Sequence, residues 1–226
     1  MPTLQLDGID PSQQPLHETV AVAVKEALFG TIGYPQLKSD IVVVRNDPLC
    51  KGPMYCFGSP QERIILKSSG NAPWQYAHQL AHEFGHMSAR SDLRFPRRDG
   101  LFWIEEVLAD CHSLIALHRL RQLDGSLKTG ADAYLRDLLA EPQSKAVDQA
   151  WFHAHRGALH GAATLTGPCQ ALARHIFTNL GHERILRDNR LLIELETGLE
   201  LSAFLEQWEK LSRSKRNVPS ILRALL

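Results

Sequence analysis

The sequence predicts an α+β fold in which a helix and a small mixed sheet come first and a mostly helical half follows. Two short runs rich in β-branched residues, 41–44 and 63–66, lie on either side of a Gly- and Pro-rich stretch. Beyond Gly70 the apolar residues recur mainly at helical spacing. We expect a single domain over 1–226. Within it, residues 1–90 form a helix, the sheet and a central helix, and residues 101–226 form a helical half that closes a cleft.

The first half should contain one long helix and up to three strands. Residues 16–29 carry Val20 and Val24 at helical spacing, and a glycine follows as a helix stop. The two β-branched runs are the first predicted strands. The turn-rich stretch between them accommodates a third short strand over 54–57.

The second half is predicted to be helical. Pro73 favours the first turn of a helix that continues to about Ser88. A loop over 91–100 separates this helix from a second one over 103–123, which stops before an Asp-Gly pair. The further predicted helices span 131–140, 146–160, 168–180 and 201–211, with a short helix within 218–226. The sequence contains no internal repeat and no low-complexity segment.

The composition is that of a globular protein with balanced charge. Hydrophobic residues make up 44% and charged residues 22% of the chain. Lys+Arg and Asp+Glu are both 25, so the zero net charge gives no electrostatic reason to expect nucleic acid or a membrane surface as a partner. The N-terminal residues lack a basic segment followed by an apolar one, which predicts a cytoplasmic protein or one exported by a leaderless route.

The cysteines do not indicate a disulfide scaffold, because the chain has only 4 of them in 226 residues. Cys50 and Cys56 are near enough in sequence to pair across a hairpin or to bind a metal. We favour two free thiols in a reducing compartment, since their spacing differs from the short Cys pair of a zinc ribbon and no second such pair follows.

The segment His82-Glu83-Phe84-Gly85-His86 is an HExxH motif within the first helix of the second half. Residues four apart share a helix face, so the two histidines can aim their imidazoles at one zinc ion. Glu83 then lies beside the metal, where its carboxylate takes a proton from a water that attacks a carbonyl. Gly85 indicates close approach of another group to the helix backbone, because glycine costs about 1 kcal/mol relative to alanine inside a helix.

Catalytic zinc usually has three protein ligands, and the predicted helix 103–123 offers a carboxylate for the third position. Glu106 follows His86 by twenty residues (106 − 86), and Asp110 lies one turn further on the same helix face. A carboxylate one turn away can accept the free N–H of a ligating histidine and so fix the orientation of its ring.

The HExxH motif followed by this Glu-x-x-x-Asp helix resembles the gluzincins, the thermolysin-like branch of zinc peptidases. The resemblance covers residues 82–110. It implies a zincin-like fold with one zinc ion, a general base and a supporting carboxylate, in these roles: His82, His86 and Glu106 as ligands, Glu83 as base, and Asp110 beside His82. It also implies a protein or peptide substrate held in extended form along an edge strand. The run 63–66 stands at the right place in the sequence for that strand.

Two other residues compete for the third ligand position. Glu105 is one residue closer to the motif, but only Glu106 has an acidic partner at i+4, and adjacent helical residues cannot both point at the metal. A metzincin would have a glycine and then a ligand where this chain has Ala89 and Asp92. It would also need a methionine later in the chain, and none follows Met87.

These features predict a zinc metallopeptidase, a hydrolase that cleaves a peptide bond with a metal-activated water. The alternative is a regulatory protein that keeps the zincin fold and binds metal without turnover, and the intact Glu83 favours the enzyme. His78, one turn before the motif, is expected to be structural or to line the cleft. An oxyanion-stabilising side chain would come from the later helices, where the candidates are Tyr134, His153, His155 and His160.

Overall fold

The chain folds into a four-stranded mixed sheet and a larger set of helices, which confirms the predicted α+β class. A computed structural model describes residues 3–35, 41–47, 49–56, 61–68, 72–90, 100–123, 125–140, 147–160 and 167–226. The apolar core is continuous from the sheet to the C-terminal helices. Its largest fully buried side chains include Tyr76, Phe84, Trp103 and Trp208.

Nine α-helices are present in the described part of the chain. They are α1 (Gln14–Phe29), α2 (Pro73–Ser88), α3 (Phe102–Leu120), α4 (Ser126–Ala140), α5 (Gln149–His160), α6 (Gly167–Asn179), α7 (His182–Leu191), α8 (Leu201–Ser212) and α9 (Val218–Arg223), with a 3-10 turn at Leu192–Glu194. None of these described helices combines the length and apolarity needed to cross a bilayer.

The four strands are β1 (Thr3–Asp7), β2 (Ile41–Asn46), β3 (Met54–Cys56) and β4 (Glu62–Leu66). They lie in the order β1-β2-β4-β3, with β1, β2 and β4 parallel and β3 antiparallel to β4. Helix α2 contacts both β3 and β4. The sheet therefore places its antiparallel end beside the helix that carries the HExxH motif.

The expectation that residues 63–66 form the edge strand was wrong. They belong to β4, which pairs with β2 on one side and with β3 on the other. Strand β3 is antiparallel to β4, with Tyr55 opposite Ile64, and it takes the edge. Strand β1, in which Thr3 pairs with Ile41, was not predicted from the sequence.

Helix α7 was likewise not predicted from the sequence. Its residues, HERILRDNRL, are mostly charged or polar and give few apolar positions from which a helical period can be recognised. Yet Asp188 and Asn189 are buried together with Ile185 and Leu186. The helix is held in the core by polar as well as apolar side chains.

Helices α2 and α3 pack against each other at unusually short range. A Cβ atom built on Gly85 would lie 2.6 Å from the Cα and 3.0 Å from the Cβ of Ala109. The backbone approach anticipated from Gly85 is therefore a contact with another helix. Helix α3 is buried along most of its length and also contacts α1, α4 and α6.

We expect Gly85→Ala to destabilise the protein by about 1–3 kcal/mol, because overpacking the helix contact outweighs the better helix propensity of alanine. Gly157 in α5 is a matched control, since nothing lies within 4 Å of a Cβ built there. Gly157→Ala should stabilise by up to about 1 kcal/mol. Urea unfolding of both variants measures the difference. Equal stabilisation of the two would contradict the close contact.

Candidate metal centre

The two histidines of the HExxH motif lie together at the buried face of α2. His82 and His86 are separated by one helical turn, and their Nε2 atoms are 3.2 Å apart. Their ring centroids are 4.9 Å apart in an edge-to-face arrangement. Both nitrogens therefore converge on one point, as the i, i+4 spacing predicts.

Glu106 brings a carboxylate to the same point from α3. One of its oxygens lies 3.5 Å from Nε2 of His82, and the other lies 3.5 Å from Nε2 of His86. These three residues are the one group of possible metal ligands in the part of the chain that the structure describes, and all three are buried. A tetrahedral zinc ion with bonds of about 2.0–2.1 Å separates its donor atoms by about 3.3–3.4 Å. The 3.2 Å between the two Nε2 atoms and the 3.5 Å from each Nε2 atom to one of the two Glu106 oxygens are close to that separation. We call His82, His86 and Glu106 the donor triangle.

Asp110 lies on the other side of the His82 ring. Its Oδ1 atom is 3.2 Å from Nδ1 of His82, so that Nε2 is directed at the donor triangle. Burial alone would lower the pKa of His82, but Asp110 and Glu106 outweigh it and raise that pKa well above its usual value. The two carboxylates thus favour a positive charge at this ring or beside it.

Glu83 is buried next to the triangle without being part of it, with 2% of its surface exposed. Burial raises its pKa to about 7; His82 acts in the opposite direction and Glu106 in the same one. The backbone N–H of Tyr55, in the edge strand β3, donates a hydrogen bond to the Glu83 carboxylate and lowers its pKa. Glu83 thus lies between the donor triangle and the edge of the sheet.

The other candidates for the third ligand position are not part of the ligand group among the described residues. Glu105 is buried on α3, but it lies outside the three-residue ligand group. Asp92, the metzincin alternative, lies outside the described residues. Cys50 and Cys56 are both free thiols, as we favoured from their spacing.

The three histidines proposed as oxyanion-stabilising side chains contact aromatic rings of α3 and α5. His155 stacks on Trp151 and contacts the Trp151 carbonyl oxygen through Nδ1. His160 packs against Trp103 with ring centroids 6.3 Å apart. The exposed His153 contacts its chain neighbour Phe152.

Tyr134 packs edge-on against His78, with ring centroids 5.6 Å apart. Desolvation lowers the pKa of His78 to about 4. The His78 side chain lines a cavity of about 20 Å³ together with Asp110 and the buried Arg174. His78 thus lies next to Asp110, which approaches Nδ1 of His82, whereas Glu106 approaches Nε2 of the same ring.

Sequence reasoning missed several residues that surround the motif. The Phe102 ring is parallel to that of His86, with an interplanar angle of 4° and centroids 6.1 Å apart. His112 of α3 and Asn189 of α7 form a buried polar contact. His112 lies two residues after Asp110 in the predicted helix 103–123, so its nearness to the site could have been predicted from the sequence. Asn189 lies 104 residues from its partner Gly85 and gives no local signal.

Comparisons of the chain with protein-family models, with curated proteins and with solved structures find no match.

We expect the protein to bind one divalent metal ion per chain at the donor triangle. The variant His82→Ala/His86→Ala removes two of the three ligands and should abolish binding and the rise in Tm that a bound metal produces. The control His175→Ala removes a histidine from α6 and should leave both unchanged. Metal analysis after gel filtration and a thermal melt measure the two quantities. Full metal retention by the double variant would exclude this site.

Proposed function

We propose that the protein is a zinc-dependent peptidase of the gluzincin type with a zincin-like fold. The observation that carries the proposal is the donor triangle of His82, His86 and Glu106, with the carboxylate of Glu83 buried beside it. The gluzincin resemblance, which rested on residue spacing, assigns roles to the same four residues. The expected substrate is a protein or peptide.

The donor set favours zinc over harder cations. Two imidazole nitrogens and one carboxylate oxygen suit zinc, whereas magnesium and calcium prefer oxygen ligands alone. Three protein ligands leave a fourth tetrahedral position open, which is the arrangement of catalytic rather than structural zinc sites. When bound, zinc supplies a Lewis acid that lowers the pKa of a coordinated water and polarises a carbonyl.

Glu83 is the proposed general base and acid. Its carboxylate accepts a proton from the water as the water attacks the peptide carbonyl, and it then delivers that proton to the leaving amine nitrogen. The hydrogen bond from the Tyr55 backbone N–H orients the carboxylate. Asp110 holds the His82 ring so that Nε2 stays in the donor triangle.

The substrate is proposed to lie in extended form along β3. This strand takes the place that we first expected for residues 63–66, because it forms the end of the sheet next to α2. An extended peptide can add to an open sheet edge through main-chain hydrogen bonds. The contact between Tyr55 and Glu83 places this edge within one hydrogen bond of the proposed base.

Glu83→Gln should retain zinc and lose hydrolytic activity by about 100-fold or more, because the near-isosteric amide cannot accept the proton. Mass spectrometry of a peptide library measures cleavage, and elemental analysis measures zinc. Glu183→Gln, at an exposed position in α7, is the matched control and should keep both properties. Undiminished cleavage by Glu83→Gln would assign the base to another residue.

A chelator titration should show that zinc affinity falls most in the variant that loses a proposed ligand and less in the variant that loses a carboxylate further from the metal. Glu106→Ala removes a ligand and should release zinc under mild chelation, and Asp110→Ala should weaken affinity by about 10–100-fold. Glu105→Ala is the matched control, because it removes a buried carboxylate from the adjacent position of α3, and it should leave affinity nearly unchanged. Loss of zinc in Asp92→Ala with retention in Glu106→Ala would replace the gluzincin proposal with a metzincin-like site.

A further inference from the structure

We propose that Asn189 is a positioning residue that braces the two ligand-bearing helices from behind the metal site. The inference rests on the proposed function. Asn189 is on α7, and its side chain is completely buried. Its amide nitrogen lies within hydrogen-bond distance of one acceptor on α2 and one on α3.

The contact with α2 is made inside the HExxH motif. Nδ2 of Asn189 donates a hydrogen bond of 3.0 Å to the carbonyl oxygen of Gly85. That oxygen also accepts the helical hydrogen bond from the backbone N–H of Ala89, at 3.0 Å. The bond from Asn189 is therefore additional to the helix ladder. It fixes the backbone between the proposed base Glu83 and the proposed ligand His86.

The contact with α3 is made through His112, which is also completely buried. Nδ1 of His112 lies 2.7 Å from the carbonyl oxygen of Leu108, and since a carbonyl only accepts, Nδ1 carries the hydrogen. Nε2 of the neutral ring is then an acceptor, 3.3 Å from Nδ2 of Asn189. Desolvation keeps the ring neutral by lowering the pKa of His112 to about 4.

The two acceptors fix the orientation of the Asn189 amide. Nδ2 has two hydrogens, and each is directed at one helix: one at Gly85, the other at His112. A flipped amide would bring its oxygen against two acceptors and lose both bonds. The side chain therefore acts as a two-point brace rather than as a single contact.

The brace is anchored by the residue next to it. The Asp188 carboxylate accepts hydrogen bonds from the Ser212 hydroxyl, at 2.7 Å, and from the Val218 backbone N–H, at 2.8 Å. Trp208 donates its indole N–H to the Asp188 carbonyl at 3.0 Å. Helix α7 is thus tied to α8 and α9 immediately beside Asn189. Because α7 is held in place here, the Asn189 amide can restrain the positions of both ligand helices.

The donor triangle depends on the relative position of those helices, because His82 and His86 come from α2 and Glu106 comes from α3. Metal and catalytic sites tolerate displacements of only about 0.5 Å. Besides Asn189, the apolar contact of Gly85 with Ala109 and the 2.8 Å hydrogen bond from the Ser113 hydroxyl to the His78 carbonyl oxygen hold the two helices together. Of these contacts, only the bond from Asn189 to Gly85 is a hydrogen bond made inside the HExxH motif. We therefore expect loss of the brace to loosen the triangle while leaving its three ligands intact.

The test measures metal affinity and metal geometry together. Asn189→Ala should weaken zinc binding by about tenfold or more in a chelator competition and should change the visible spectrum of the cobalt-substituted protein, which reports ligand geometry. Asn217→Ala is the matched control, since Asn217 is an equally buried asparagine that caps α9. It should lower Tm and leave zinc affinity and the cobalt spectrum unchanged.

A second variant tests the other arm of the brace. His112→Phe keeps an aromatic ring and removes the acceptor, so it should produce a smaller change in affinity and spectrum in the same direction. It and Asn189→Ser, which keeps one donor, take the place of Asn189→Ala if that protein does not fold. Wild-type affinity and an unchanged spectrum in the folded variants would overturn the inference. Equal losses of affinity in Asn189→Ala and Asn217→Ala would do so as well.

The wild-type arm separates this inference from the proposed function. Wild-type protein that binds no zinc contradicts both. Wild-type protein that binds zinc but cleaves no peptide contradicts the peptidase proposal alone, and the comparison of Asn189→Ala with Asn217→Ala still decides whether Asn189 positions the metal site.

Discussion

The site depends on the contact between α2 and α3. The backbone of one helix meets the other at Gly85 and Ala109, at a distance that leaves no room for a side chain on α2. Two histidines are fixed on one helix and a carboxylate on the other, so this separation sets the size of the donor triangle. Ala109 lies three residues after Glu106 and one before Asp110, so the same contact places both carboxylates. The glycine has a helix-propensity cost of about 1 kcal/mol, and the close approach explains why it is present.

The same contact buries charge. Four carboxylates are buried along α2 and α3: Glu83, Glu105, Glu106 and Asp110. Burying an ionised group is unfavourable unless an opposite charge or hydrogen bonds compensate it. Burial lowers the pKa of His82, but Asp110 and Glu106 outweigh it and raise that pKa, so the surrounding carboxylates favour positive charge at this point. A divalent cation in the triangle would satisfy that field with two charges and would be held by geometry as well as electrostatics. The burial of Glu83 likewise fits a base that works in a site from which most water is excluded.

The sequence predicted those parts of the site that depend on local spacing. His82 and His86 converge because they are four residues apart on α2. Glu106 and Asp110 both lie near the His82 ring because they are four residues apart on α3. The α+β class followed from short β-branched runs ahead of helical spacing. The sheet edge could not be predicted in this way, because strand order is a matter of long-range pairing. Residues 63–66 have a strand-like composition whether they lie inside the sheet or at its edge. Only the pairing of β3 with β4, which places Tyr55 opposite Ile64, decides between the two positions.

Helix α7 shows a second limit of prediction from the sequence, and this limit has a physical cause. Periodicity detects helices that are buried through an apolar stripe, whereas α7 buries Asp188 and Asn189 as well as Ile185 and Leu186. These polar side chains stabilise the folded chain only where they find partners, and their partners lie in α2, α3, α8 and α9. The information that specifies α7 is thus distributed over the helices around it. A buried polar residue whose donors are directed at particular acceptors also restricts its neighbours to one arrangement more strictly than an apolar residue does. The support of the candidate metal site is therefore less visible in the sequence than its three donor residues, although both are needed to hold the donors within about 0.5 Å.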